Sequence, residues 1–374
     1  MELNLNTVEG WLMVVFFAAS FTQLIYYWLV FSRFAYYKTP DYPEPDIPVS
    51  VVIAAKNEYH NLKKNLPLIL NQNYSDFEVV VVNDASDDES IFLLEDMSHE
   101  YKRLKVVTIQ QDLNFFKGKK FPLSLGIKSA KNEYLLLTDA DCAPAGPDWI
   151  WEMAKGFSQN REIVLGYGPY NQNSGILNKV IRYETAFAAL NYFSLALWGI
   201  PYMGVGRNLA YKKSLFIKSG GFISHYKVSS GDDDLFINKV AVKKNTAVMV
   251  TPESFTLSDA KRSFHHWWRQ KRRHLSTGMH YKLKHKIILG GYSVTYLMML
   301  AGLVWQLLAG EILWAVALLF AVRLFSQLII FKKTFYRLWE KKLLLISPLI
   351  ELYLTLIFPF MVFVNLLFKE GRWK

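Results

Sequence analysis

Asp139 and Asp141 stand two residues apart, directly after the apolar run 134–137. Side chains of an extended strand alternate with period 2, so a strand ending in this pair delivers both carboxylates to one side. Such a pair can grip one hard cation. Mg²⁺ and Mn²⁺ take carboxylate and phosphate oxygens, and Mg²⁺ binds through one or two carboxylates plus substrate phosphates, so the chemistry expected is that of a metal–diphosphate site. For an Asp-x-Asp triplet taken alone, the ordinary alternative is a solvated turn. Gly231-Asp232-Asp233-Asp234-Leu235 is a second acidic cluster. Three adjacent carboxylates raise one another's pKa where they share space. Asp232 suits the cap of a helix over 235–242, but a carboxylate at an exposed helix start can also take a proton from a hydroxyl.

Other chemistry-bearing residues have a plain structural reading beside a functional one. In Asn83-Asp84-Ala85-Ser86-Asp87-Asp88, Asp84 is either a turn residue before the next helix or an acceptor for base or ribose groups. Glu58 either favours the first turn of a helix or faces ligand. Lys117, Lys119 and Lys120 flank Gly118 in a basic turn that could meet phosphate, without the spacing of a P-loop. The run 265–274 mixes Trp267 and Trp268 with cations, the usual composition of a membrane-surface helix. The adjacent His265 and His266 cannot both face one ion from a helix.

The elements that position these groups are legible. Short β-branched runs at 49–54, 77–83 and 105–109 alternate with segments of helical spacing such as Leu62, Leu66, Ile69 and Leu70. Strand and helix in alternation predict an α/β fold with a mostly parallel sheet covered on both faces. Ligands of such sheets bind beyond the carboxyl ends of the strands. Three strands here end in polar clusters: 55–58, 83–88 and 139–141.

The 374 residues are 52% apolar and 16% aromatic, with the apolar residues gathered at the two ends. The run 8–30 has the roughly 20 residues needed to cross hydrocarbon. Acidic Glu2 precedes it, Glu9 lies at its start, and no small-residue cleavage site follows, so it reads as a retained span rather than a signal peptide. Further apolar runs at 287–309, 312–331 and 343–368 close the chain, interrupted by Arg323 and Glu351. Lys332, Lys333, Arg337, Lys341 and Lys342 crowd one loop, which places that loop and the central domain in the cytoplasm. The basic tail 369–374 would then lie outside if all three runs cross, so the last run is either a span or a re-entrant segment. The net charge of +11 fits bilayer head groups better than nucleic acid. A single cysteine, Cys142, forms no intrachain disulfide. The apolar segment 175–200, with Lys179, Arg182 and Glu184, is expected as a buried or interfacial helix that lines a path for a lipid acceptor.

Taken in order, these pieces resemble the membrane-bound branch of glycosyltransferase family 2. The segment 49–58 resembles its opening strand and nucleotide loop, with Ala54, Ala55, Asn57 and Glu58 as donor-binding positions, and 82–88 resembles its uracil-contacting turn at Asp84. Gly118-Lys119 looks like its basic loop, Asp139-Ala140-Asp141 its metal motif, 206–211 the segment before its acid cluster, and 231–235 that cluster. Gln270-Lys271-Arg272-Arg273-His274 is similar to its Gln-x-x-Arg-Trp motif, with His274 where the family has Trp. The resemblance covers about 48–275. It implies a GT-A fold and an inverting hexosyltransferase that uses Mg²⁺ or Mn²⁺ held by Asp141 and Asp139. The donor would be a UDP- or GDP-sugar, and the acceptor a lipid-linked molecule or a glycan. Asp232 or Asp233 would be the base, Lys119 a donor contact, and Gln270, Arg273 and His274 would lie at the diphosphate or acceptor. Domain bounds follow as 1–33 (transmembrane), 34–47 (linker), 48–260 (GT-A), 261–286 (interfacial helix) and 287–374 (two or three spans). The competing functions are a processive polysaccharide synthase, which His274 disfavours, and a transporter with a regulatory nucleotide-sugar domain.

Overall fold

The computed structural model describes residues 7–110, 118–228, 230–309 and 313–368; Glu2, Lys117 and the tail 369–374 lie outside them. Seven strands form the main sheet: β1 (Val49–Ala55), β2 (Phe77–Asp84), β3 (Leu104–Ile109), β4 (Tyr134–Asp139), β6 (Ile163–Leu165), β7 (Leu209–Lys212) and β8 (Thr246–Val248). Their order is β3-β2-β1-β4-β7-β6-β8. The first four are parallel, β7 runs antiparallel to both neighbours, and β8 is parallel to β6. Strands β5 (Cys142–Pro144) and β9 (Thr256–Ser258) pair separately.

The β-branched runs form strands because both faces are covered. Val51 and Ile53 point into one core with α3 (Tyr59–Leu70), α4 (Ser90–Glu100) and α6 (Trp149–Lys155). Their neighbours Val52 and Ala54 point into the other, with α5 (Lys120–Ser129) and α7 (Ile176–Trp198). Period-2 alternation thus assigns the two faces, and the continuous apolar reading of β1 and β2 follows from burial on both. The expected helix at 175–200 is α7, buried along most of its length. Two short helices complete the domain, α8 (Lys213–Lys218) and α9 (Asp234–Val240).

At the amino end α1 (Val8–Ile25), a π-helical turn (Tyr26–Phe31) and α2 (Ser32–Ala35) are continuous. After the domain come α10 (Phe264–Gly278), α11 (Leu283–Ala309), α12 (Leu313–Arg337) and α13 (Ser347–Leu367). Among the described residues four helical stretches, 9–35, 283–309, 314–337 and 347–367, are long and apolar enough to cross a membrane. The third runs to Arg337, beyond the expected end at 331, because Lys332 and Lys333 continue the helix rather than break it.

Candidate active site

Asp139 ends β4, and Asp141 follows at the carboxyl edge of the sheet. With Cys142 they bring ligand atoms within 4.8 Å of one another. Burial, then the charges of Asp141 and Asp139, push the Cys142 thiol up, so it stays neutral. The donors left are hard carboxylate oxygens, a set that fits Mg²⁺ or Mn²⁺. Asp141 is pushed up by burial and by nearby Asp139 and Glu58, an excess of negative charge that a cation would relieve.

Asp139 already has a cationic partner. Lys119, at the start of α5, forms an ion pair with it. Burial opposes ionisation of Asp139, but Lys119, Arg207 and Arg273 outweigh it and hold the carboxyl low. Lys119 is in turn kept charged against burial by Asp139, Asp232 and Asp233 together. One ammonium therefore feels both acidic clusters.

The backbone makes the same connection. Thr138 Oγ1 donates to the Arg207 carbonyl at 2.8 Å, and the preceding Gly206 N–H donates to Asp233 Oδ2 at 2.6 Å. A Cβ on Gly206 would lie 3.3 Å from Asp233 Oδ2 and 3.7 Å from Asp232 Oδ2, so glycine there permits the close approach. Arg207 lies 4.1 Å from the Tyr170 ring and donates to Ser258 Oγ at 3.0 Å. It stays charged against burial through Tyr170, Cys142, Asp141 and Asp139.

The three acids of the second cluster have different tasks. Asp233, not Asp232, caps α9: its Oδ1 accepts from Asp234 N–H at 2.7 Å while Oδ2 holds Gly206. Asp232 sits one residue too early to reach that amide. Burial and the flanking Asp232 and Asp234 push Asp233 up to about 8. Asp234 Oδ2 accepts from Thr277 Oγ1 and, at 2.7 Å, from Tyr281 Oη, fastening α9 to the end of α10. Asp232, partly exposed, makes none of these bonds. Gly231 before it has φ of +94°, and a Cβ there would meet Leu235 Cδ1 at 2.6 Å. The loop leading in is held by buried Lys120, whose ammonium donates to the carbonyls of His225, Val228 and Ser230.

Helix α10 is fastened to the domain. Trp267 Nε1 donates to Glu184 Oε2 of α7 at 3.1 Å, and Lys271 pairs with the same carboxylate. Arg273 faces Asp139 electrostatically and has a buried Nε without a hydrogen-bond partner. At His274 the surrounding protein, then Lys271, Arg273 and Arg207, push the imidazole far down, so the ring is neutral. Gln270, three residues before Arg273, shares that helical face.

At the donor end, Ala54 lies in register with Asp139 and Ala55 with Asn83. Asn57 N–H donates to Ser86 Oγ at 3.0 Å and its Oδ1 accepts from Asp87 N–H at 2.8 Å, locking the loops after β1 and β2 together. Asn57 and Ala85 have φ of 55° and 46°, left-handed conformations that cost about 1–3 kcal/mol each and concentrate at ligand sites. Glu58 is the N-cap position of α3 and accepts from Asn61 Nδ2. Asp84 ends β2, two strands from Asp139 across β1 and two residues beyond it in register. A hollow of about 400 Å³ beside Asp141 is rimmed by Lys64, Lys261 and Arg262. Sequence reasoning gave no role of their own to Lys120 and Arg207; the signal, a charged residue inside an apolar or Gly-rich stretch, was present at both.

A mostly parallel sheet with an acidic pair at its carboxyl edge, paired to a basic loop, has the architecture of a GT-A fold. Residues 50–227 match the family model of glycosyl transferase family 2. It is 28% identical over 153 residues to an uncharacterized glycosyltransferase of Haemophilus influenzae, covering 41% of this chain and 44% of that one. It is 29% identical over 142 residues to the poly-beta-1,6-N-acetyl-D-glucosamine synthase of Staphylococcus epidermidis, covering 37% and 32%. The chain thus spans less than half the length of these two relatives. Among solved structures, its fold is similar to a mannosyltransferase of Pyrobaculum calidifontis in complex with GDP-Man and Mn²⁺, with TM-score 0.59 and 19% identity over 93% of this chain and 99% of that one.

Proposed function

We propose that the protein is a multi-pass membrane glycosyltransferase, its catalytic domain on the cytoplasmic face, which moves a sugar from a UDP- or GDP-sugar to a lipid-linked or glycan hydroxyl with inversion. The observation that carries this reading is Lys119, paired with Asp139 while facing Asp232 and Asp233. A diphosphate seated at the first cluster would present its sugar to the second. Asp84 and the 54–58 loop would hold the nucleoside. Mg²⁺ or Mn²⁺, held by Asp141 with Asp139, would supply the charge that lets the diphosphate leave. Arg273, with its unpartnered Nε, and Lys119 would bind the diphosphate oxygens. Asp232 would take the acceptor's hydroxyl proton as that oxygen bonds to the anomeric carbon and the bond to diphosphate breaks. Asp233 is less suited, since both its oxygens already accept backbone N–H groups. Neutral His274 and Gln270 would line the acceptor side.

The test is release of nucleoside diphosphate from a panel of nucleotide sugars with Mn²⁺ or Mg²⁺ and extracted membrane lipid. Metal-dependent, acceptor-dependent release is expected, with a product one sugar longer. Donor binding without turnover on any acceptor would favour a regulatory domain instead.

A further inference from the structure

Helix α13 has the composition of a membrane span: 21 residues whose only charge is Glu351. At 1.5 Å per residue, the ends of a crossing helix this long lie about 30 Å apart, on opposite sides of the hydrocarbon. Both ends of α13 are instead tied to the side of the catalytic domain. Just before it, Glu340 Oε2 accepts from Arg182 Nε and Nη2 of α7 at 2.9 and 2.6 Å, and the Trp339 carbonyl accepts from Gln172 Nε2 at 2.6 Å. Near its other end, Asn365 Oδ1 accepts from Arg272 Nε at 2.7 Å, Asn365 Nδ2 donates to the Arg272 carbonyl at 2.8 Å, and Arg272 also reaches the Phe368 carbonyl. Arg272 belongs to α10 and lies between Trp267 and Thr277, which bond to Glu184 and Asp234 of the domain. Midway, the Phe360 ring is 6.1 Å from Trp268, and Lys271 Nζ lies 5.6 Å from the Phe358 ring.

Packing agrees with these anchors. Helix α1 packs along α11 and α12, as spans do, whereas α13 packs mainly on α10 and α7 and meets the spans near its start, where Glu351 bonds Arg323 of α12 and Tyr292 of α11. The protein side of α13 buries Ile350, Leu354 and Met361. The other side exposes Leu349, Tyr353, Leu356, Phe360, Phe363 and Leu367, a stripe at helical spacing with no charge in it.

We infer that α13 does not cross the membrane: it lies in the leaflet next to the catalytic domain, as an apolar platform under α10, with its exposed stripe against acyl chains. The partner of this surface is the bilayer itself. Three crossings remain, 9–35, 283–309 and 314–337. Phe368 then starts the basic sequence Lys369 to Lys374 on the same side as the loop of Lys341 and Lys342, which removes the charge conflict that a fourth crossing creates. The inference does not depend on the reaction assigned above.

Single cysteines test it in the full chain. Native Cys142 is buried, so labelling of the unsubstituted protein supplies the background. Glu311→Cys, Leu345→Cys and Glu370→Cys are treated with a membrane-impermeant maleimide in right-side-out and in inverted vesicles. The expected result is that 345 and 370 label in the same vesicle orientation and 311 in the opposite one. Labelling of 370 together with 311, and not with 345, would overturn the inference.

Discussion

Asp232 and Asp233 are adjacent and chemically unlike. Asp233 spends both carboxylate oxygens on backbone amides and is pushed up from 3.8 to about 8, whereas Asp232 is left to the cleft. The folded chain therefore keeps a proton on Asp233, between about pH 4 and 8, that the unfolded chain has lost, and stability from this group falls as pH rises through that window. An asparagine keeps one acceptor oxygen for the cap and loses the other, so the readout is the pH dependence rather than the absolute stability. Asp233→Asn should accordingly unfold at a temperature that varies less with pH across the window than wild type does, as read by thermal melts in detergent. A second residue-scale expectation concerns Lys120. Lys120→Met leaves three loop carbonyls without their buried donor. Since about 1 Å of misplacement can cost 10²-fold in rate, turnover should fall roughly 10-fold or more. Binding of nucleoside diphosphate, measured by titration, should change less than about 2-fold, because the clamp acts on the loop that leads to Asp232.

The strands were the legible elements. Burial on both faces makes β1 and β2 rich in apolar β-branched residues, Val51 to Ile53 and Val79 to Val82, and the chain signals each carboxyl end with a polar cluster. The joins between elements were not legible. Lys119 reads as a surface cation beside its glycine; only the fold shows that it reaches Asp139, 20 residues on. The cap of α9 was misassigned by one residue because three consecutive aspartates offer the same side chain, and only backbone geometry selects Asp233. Gly231 is where that geometry is enforced. Gly231→Ala needs a left-handed alanine and meets Leu235, so destabilisation of about 1–3 kcal/mol is expected from denaturant unfolding, with a loss of turnover as Asp232 moves.

At the scale of the molecule, the catalytic domain and the apolar helices share one core. Beneath it Arg323 of α12 pairs with Glu351 of α13 at 2.7 Å, both buried, and Tyr27 and Tyr292 complete the cluster. Removing one partner of a buried pair costs about 3–5 kcal/mol, whereas replacing both by apolar residues is often neutral. Arg323→Leu should lower the melting temperature in detergent, and Arg323→Leu with Glu351→Leu should restore most of it. The pair anchors the start of α13, so this polar cluster explains why charges interrupt two otherwise apolar runs. On the proposed reading, the arrangement holds a donor site and an acceptor base on one side of the sheet, next to the apolar helices. The most direct measurement compares Mn²⁺-dependent UDP or GDP binding with nucleoside diphosphate release in Asp141→Asn and Asp232→Asn. The account predicts that Asp141→Asn loses both, whereas Asp232→Asn keeps binding within about 2-fold and loses turnover by roughly 10²–10⁴-fold. Full turnover in Asp232→Asn, or undiminished Mn²⁺-dependent binding in Asp141→Asn, would contradict it.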